Sequence, residues 1–127
     1  NKIVALTLLI TMISCFENPV IPDENNPDPG VIFYDGAYYA ATTFGGFPIH
    51  KSYDLQTWEH AGTVFPDGYL PTWAYQDFWA PELHVIDGQF RVYFTAREVE
   101  SGRLCIGVGS ADSILGPYTD IGMPLIQ

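Results

Sequence analysis

Two Asp-Gly dipeptides, each between two apolar runs, constrain the fold of this chain more than any other feature. They stand at positions 35–36 and 87–88, so they are 52 residues apart. Asp-Gly in this setting is typical of a two-residue β-hairpin, because a type I′ turn needs positive φ at both of its residues. Further short β-rich runs follow each hairpin, and together they predict eight strands: 31–34, 37–43, 47–52, 57–64, 83–86, 89–95, 104–110 and 118–121.

The spacing of the two hairpins indicates a repeat of about 50 residues with four strands in each copy, which is typical of a β-propeller blade. A β-sandwich of eight strands at ordinary spacing is the alternative, and the repeat favours the propeller. Two blades cannot close a propeller, since closure takes at least about four. We therefore predict an all-β propeller, of which residues 15–127 form the truncated N-terminal part, about the first two blades.

The charge balance excludes several classes of partner. Acidic residues outnumber basic ones by 15 to 5, which gives a formal net charge of −10. Binding of nucleic acid or of an anionic membrane surface needs clustered Lys and Arg, and the basic residues here are scattered.

We expect no nucleotide, because the sequence has no glycine-rich phosphate loop. The spacing of His, Cys and carboxylate residues matches no common metal pattern, so no metal or other cofactor is predicted.

The chain opens with a short apolar segment. Lys2 precedes an apolar run at 3–13, which ends at the small residue Ser14. This run is too short for a transmembrane helix, which needs roughly 20 apolar residues. A basic residue followed by a short apolar core is typical of a secretory signal. A buried N-terminal helix is the alternative, but the run has no amphipathic period. We predict a signal peptide at 1–14 and an exported protein.

Cys15 directly follows the predicted signal, and residues 12–15 resemble a bacterial lipoprotein cleavage box. The resemblance implies that Cys15 is acylated and anchors the mature protein to a membrane, and plain secretion is the alternative. The predicted location is accordingly periplasmic, at the cell surface as a lipoprotein, or secreted. The second of the two cysteines, Cys105, lies in an apolar run and is predicted to be a core thiol.

Asp28 lies between two prolines, in an acidic and turn-rich segment that leads into the first predicted strand. Proline restricts its own φ and the conformation of the residue before it. A carboxylate on so stiff a segment suits a residue that must stand at a fixed distance from a substrate. The alternative is that Asp28 only satisfies the amides of a turn.

Aromatic residues are concentrated at 73–79, ahead of a predicted strand, and Phe44 opens a Phe-Gly-Gly-Phe loop. Aromatic faces hold the C–H side of a sugar ring while polar neighbours bond its hydroxyls. Trp73 and Trp79 are therefore candidates for sugar binding, although they could equally fill the gap between two blades. The paired glycines after Phe44 would let the backbone approach a ligand closely.

Seven short motifs occur in order along nearly the whole chain after the predicted signal. They are NPVI at 18–21, NPDPG at 26–30, YYAATTF at 38–44, PIHKSYDLQTW at 48–58, WAPELH at 79–84, DGQFRVYFT at 87–95 and GPYTD at 116–120. The ordered set resembles the N-terminal portion of a glycoside hydrolase family 43 enzyme, of the arabinanase, α-L-arabinofuranosidase and β-xylosidase kind. The resemblance implies a five-bladed propeller that acts on arabinose- and xylose-containing glycans.

The resemblance also implies a mechanism. Enzymes of this family invert the anomeric carbon, with a general base that activates water and a general acid about 6.5–9.5 Å away that protonates the leaving oxygen. By motif match, Asp28 is the general base, while Phe44, Trp79 and, more weakly, Trp73 line the sugar pocket. The acid Glu and the Asp that tunes its pKa lie in later blades of the family. Glu82 matches a non-catalytic position, so we expect this chain to lack the acid and to be inactive by itself.

The sequence thus predicts that the full-length protein is an inverting hydrolase of O-glycosidic bonds. Its substrates would be arabinan, arabinoxylan or xylan from plants, or oligosaccharides derived from them. A non-catalytic carbohydrate-binding propeller and a kelch-type interaction propeller are the alternatives, since a fold does not fix a function. The Asp retained in the Pro-Asp-Pro motif favours the enzyme.

Overall fold

A computed structural model of the chain describes residue 21 and residues 25–66 and 69–127. This part of the chain forms two four-stranded antiparallel sheets, and each takes its strands in sequence order. The predicted signal peptide at 1–14 and the predicted lipidation site Cys15 lie outside the described residues. Among the described residues, no helix is long and apolar enough to cross a membrane.

All eight predicted strands are present, and only the start of the fifth lies far from its predicted position. The first sheet consists of β1 (Gly30–Tyr34), β2 (Ala37–Ala41), β3 (Pro48–Ser52) and β4 (Glu59–Thr63). The second sheet consists of β5 (Ala74–Ile86), β6 (Gln89–Glu98), β7 (Leu104–Ala111) and β8 (Thr119–Asp120). Each sheet is therefore built from one copy of the repeat.

The Asp-Gly pairs at 35–36 and 87–88 form the predicted two-residue hairpin turns. The φ angles of Asp and Gly are 46° and 79° at 35–36, and 51° and 79° at 87–88, as a type I′ turn requires. Each sheet is a simple meander of consecutive strands, as in a propeller blade. A sandwich with Greek-key connections would place sequence-distant strands side by side, so the strand order favours the propeller over the sandwich.

The fifth strand is longer than predicted, because its first half is irregular. β5 begins at Ala74, and its pairing with β6 is interrupted three times before Glu82. Asp77 and Ala80 have positive φ angles of 58° and 48°. Such bulges break the alternation of side chains between the two faces of a strand, which is the signal used to recognise strands in a sequence. The aromatic cluster therefore lies mostly inside a strand and not ahead of one.

The core lies between the two sheets and is built on aromatic rings. The ring centroid of Phe94 in β6 lies 5.5 Å from that of Phe47 and 5.4 Å from that of Phe65, and all three side chains are buried. Burial of one Phe side chain contributes about 1.5–3 kcal/mol, so this cluster stabilises the contact between the sheets. Cys105 is buried as predicted, and burial raises the pKa of its thiol.

The first strands of the two sheets, β1 and β5, lie against each other. Gly30 in β1 is so close to β5 that a β-carbon at this position would collide with the carbonyl oxygen of Pro81. Asp28 lies two residues before Gly30. The predicted catalytic segment is therefore placed at the junction of the two sheets.

Candidate active site

Asp28 is held in a conformation that its neighbours must enforce. Its φ is 51°, a region that is uncommon for residues other than glycine and costs about 1–3 kcal/mol. The backbone N–H of Thr43 donates to the carbonyl oxygen of Pro27 at 3.0 Å, and the Thr43 hydroxyl donates to Oδ2 of Asp28 at 3.1 Å. The carboxylate is exposed and yet oriented, as a group that acts on water must be.

Thr43 connects the Asp28 segment to the second sheet. Its hydroxyl accepts a hydrogen bond from the backbone N–H of Ala80 at 2.9 Å, while it donates to Asp28. The side chain is only 3% exposed. The sequence gives no direct sign of this role, because Thr43 is there the last residue of a predicted strand. Its one available signal was a polar residue at the end of an apolar strand, directly before the Phe-Gly-Gly loop.

A second threonine supports the same segment. The hydroxyl of Thr42 donates to Oδ1 of Asn26 at 3.2 Å, and Thr42 is fully buried. The segment before β1 is thus attached to the end of β2 by two neighbouring hydroxyls and one backbone bond. The prolines make the segment stiff, and the threonines fix where it lies.

A pocket of about 360 Å³ opens beside Thr43. Phe44 and Trp79, two of the three aromatic residues predicted to hold a sugar, both line it. They remain 55% and 41% exposed, so each offers an apolar surface to a ligand. The other lining residues among those described are Gly45, Gly46, Phe65, Pro66, Leu70, Asp77 and Phe78.

The glycines after Phe44 serve the protein's own packing and not only an approach to a ligand. The N–H of Phe47 donates to the carbonyl oxygen of Phe44 at 2.7 Å, which closes the loop. Gly46 packs so tightly that a β-carbon there would collide with the carbonyl oxygen of Phe65. The N–H of Phe65 donates in turn to the carbonyl oxygen of Gly46 at 2.8 Å. This double contact fixes Phe44 at the rim of the pocket.

Trp73 does not lie in this pocket. Its ring is 9% exposed and stacks on Phe94, with centroids 6.1 Å apart and an angle of 23° between the planes. Its Nε1 donates to the carboxylate of Asp120 at 3.1 Å. Trp73 is thus engaged within the second sheet and is not brought together with Phe44 and Trp79, so its role in binding sugar stays a prediction. Trp73 and Trp79 are close in sequence, yet the bulged part of β5 separates their environments.

Asp77 also lines the pocket, although none of the seven motifs includes it. Nε of Arg97 donates to its Oδ2 at 2.5 Å, and Arg97 is one of only five basic residues in the chain. The scarcity of basic residues in an acidic chain is the signal from which an ion pair of Arg97 could have been expected. Within the described residues, no three His, Cys, Asp or Glu side chains lie together so as to hold a metal ion.

The site therefore combines an oriented carboxylate with an aromatic pocket one hydrogen bond away.

Comparison with known proteins shows the family of this chain. The family model for glycosyl hydrolases family 43 matches residues 16–126. An arabinan endo-1,5-α-L-arabinosidase C of Emericella nidulans is 33% identical over 103 residues, which cover 75% of this chain and 32% of that protein. An extracellular endo-α-(1→5)-L-arabinanase of Thermotoga petrophila is 31% identical, over 91% of this chain and 27% of that protein.

Solved structures agree with these relatives. A thermostable family-43 glycoside hydrolase matches with a TM-score of 0.76 and 32% identity, over 84% of this chain and 35% of that one. An endo-arabinase of Bacteroides thetaiotaomicron matches with a TM-score of 0.69 and 26% identity, over 85% of this chain and 38% of that one. The chain spans about a third of the length of the relatives it matches. From its fold, its site and a family match over nearly its whole length, this chain belongs to glycosyl hydrolase family 43.

Proposed function

We propose that the full-length protein hydrolyses O-glycosidic bonds in arabinose- or xylose-containing plant polysaccharides and oligosaccharides, with inversion at the anomeric carbon. Arabinan is the first substrate to test, because the relatives from Emericella nidulans and Thermotoga petrophila are named for action on it. The observation that carries the proposal is the bond from Thr43 to Asp28, which orients a carboxylate beside an aromatic pocket.

Asp28 is the general base of this mechanism. Its oriented carboxylate takes a proton from a water molecule, and the water oxygen attacks the anomeric carbon on the face opposite to the leaving group. General acid–base catalysis of this kind contributes about 10²–10⁴-fold in rate. Thr43 donates to one oxygen of Asp28, which leaves the other oxygen for the water.

Phe44 and Trp79 bind the sugar. The exposed aromatic surfaces on the pocket wall cover the C–H groups of a pentose ring, as aromatic side chains do in many sugar sites. They contribute binding and orientation, and they hold the anomeric carbon at a fixed place relative to Asp28.

The general acid and the Asp that tunes its pKa belong, by resemblance, to later blades of a five-bladed propeller. An inverting enzyme needs both carboxyl groups, about 6.5–9.5 Å apart and on opposite sides of the sugar. This chain by itself is therefore expected not to turn the sugar over, and the full-length protein is the catalyst.

The protein is exported, with 1–14 as signal peptide and Cys15 as an acylated membrane anchor. Support comes from relatives named as extracellular, in Bacillus subtilis and Thermotoga petrophila. Anchoring would keep the enzyme at the cell surface or in the periplasm, where it meets the glycan. Mass spectrometry of the mature N-terminus would show whether Cys15 carries lipid.

The test is Asp28→Asn in the full-length protein, measured on α-1,5-linked arabino-oligosaccharides. Loss of the base is expected to lower kcat by about 10²–10⁴-fold and to leave sugar binding in place. Asp35→Asn is the matched control, because it removes one carboxylate from a hairpin turn whose positive φ asparagine tolerates. If Asp28→Asn keeps a tenth of the wild-type rate, Asp28 is not the base. Binding without cleavage by the wild type would mean a carbohydrate-binding propeller instead.

A further inference from the structure

Asp77 has no part in the mechanism above, although it lines the same pocket as Phe44 and Trp79. Its φ of 58° places it in the left-handed region, within the irregular half of β5. Non-glycine residues with such φ values are uncommon and concentrate at functional sites. The bulge turns Asp77 out of the alternation of the strand and towards the pocket.

The Asp77 carboxylate is fixed through one of its two oxygens. Oδ2 accepts from Nε of Arg97 and, at 3.4 Å, from the side-chain amide of Gln76. Arg97 is anchored at its other end, since its Nη1 donates to the carbonyl oxygen of Gly102 at 2.7 Å. Among the described residues, no hydrogen bond to Oδ1 is present, and the side chain is 21% exposed. An oriented carboxylate thus has one oxygen free to accept from a ligand.

We propose that Asp77 determines specificity by accepting a hydrogen bond from a hydroxyl of the sugar in the pocket, with Arg97 as its positioning residue. This inference rests on the proposed function, because it assigns the recognition of the same sugar. Aromatic faces hold a sugar ring without distinguishing its hydroxyls, whereas a fixed charged acceptor recognises one of them. The site would then select neutral pentose units with that hydroxyl free. A uronic acid would be rejected, since its carboxylate would meet the negative charge of Asp77.

The experiment uses the full-length protein and arabinotriose as the probe. Asp77→Asn is expected to raise KM by about tenfold, the effect of losing one charge-assisted hydrogen bond, with kcat changed less. Calorimetric titration in an Asp28→Asn background should show the same loss of affinity. Asp87→Asn is the matched control, because it removes one carboxylate from the same sheet at a turn with φ 51° and leaves the pocket alone.

Arg97→Lys tests the positioning role and provides a second variant if Asp77→Asn folds poorly. Lysine keeps the charge but lacks the planar group that joins Asp77 to Gly102, so KM should rise while kcat holds. The double variant should bind no worse than Asp77→Asn alone, since Arg97 acts through Asp77. A merely structural Arg97 would instead lower the melting temperature without changing KM.

Two results would overturn the inference. One is a wild-type KM and affinity in Asp77→Asn, and the other is a loss confined to kcat. Failure of the glycosidase proposal would look different, because the protein would then bind arabinotriose without cleaving it. In that case the role of Asp77 is still decided by calorimetry. The affinity of the protein that carries both Asp28→Asn and Asp77→Asn is compared with that of the protein that carries Asp28→Asn alone.

Discussion

The two sheets share one strand order, but their first strands differ. The candidate site forms beside these strands. β1 has five residues and pairs with β2 without interruption. β5 has thirteen residues, and its pairing with β6 shifts register three times. The Asp28 segment directly precedes the regular strand, while the irregular strand carries Trp79 and Asp77, which line the pocket. The repeat sets the strand order of both sheets, and the irregular part of β5 contributes residues to the pocket.

The connections between the last two strands also differ between the two sheets. Between β3 and β4, the carboxylate of Asp54 accepts from the backbone N–H groups of Gln56 and Thr57 at 2.8 and 2.7 Å, which makes a tight polar turn. The corresponding connection in the second sheet buries Ile114 and Tyr118, and the Tyr118 hydroxyl donates to the Ile114 carbonyl oxygen at 3.0 Å. Ser52-x-Asp54 and Ser110-x-Asp112 are similar in sequence, but the first leads to a hydrogen-bonded turn and the second to apolar packing.

We expect the largest effect on stability when the two tryptophans, Trp73 and Trp79, are replaced one at a time. Trp73→Ala should destabilise the full-length protein by about 3–5 kcal/mol, as loss of a buried aromatic does. Trp79→Ala should change stability far less but raise KM several-fold, since a stacking face contributes about 0.5–1.5 kcal/mol. Urea unfolding and steady-state kinetics on both variants check this division. Equal stability losses would mean that Trp79 also belongs to the core.

A smaller loss of stability is expected when an added methyl group pushes β1 and β5 apart. Gly30→Ala adds a methyl group against the Pro81 carbonyl, and overpacking of this kind costs about 1–3 kcal/mol. Gly62→Ala is the matched control, because its β-carbon would lie at an ordinary 3.6 Å from the Leu115 carbonyl oxygen. Urea unfolding should show the loss in the first variant only. A Gly30→Ala protein with wild-type stability would show that β1 and β5 are less closely packed.

The smallest effect concerns the polar turn of the first sheet. Hydrogen bonds from the N–H groups of Thr57 and then Gln56 hold the pKa of Asp54 below its ordinary value. A lowered pKa in the folded state stabilises the protein above the unfolded value of about 4, and this contribution is lost as the pH falls through the folded value. Asp54→Asn should therefore lower the melting temperature slightly at pH 7. The difference from the wild type should shrink as the pH falls below about 4, and a difference that stays constant would contradict the account.

The sequence was sufficient for the regular parts of the molecule and insufficient for the irregular ones. The Asp-Gly turns fix their own φ angles locally, so both hairpins, and from them both meanders, could be predicted. The first half of β5 could not, because bulges at Asp77 and Ala80 remove the alternation that identifies a strand. The roles of Thr43 and Trp73 depend on partners 37 and 47 residues away, which no local pattern reveals. Phe44 and Trp79 were placed by motif, and the structure brings them to one pocket.

Thr43 joins the Asp28 segment to the second sheet, and the most direct test of the account is therefore a pair of substitutions there. In the full-length protein, kcat on arabinotriose would be compared for Thr43→Ser, which keeps the hydroxyl, and Thr43→Val, which keeps the shape. We predict that the serine variant stays within a few-fold of the wild type. The valine variant should lose about tenfold or more, because a hydrogen bond to a charged group contributes about 1.5–3 kcal/mol. Equal rates in the two variants would contradict the claim that the bond from Thr43 to Asp28 makes the site.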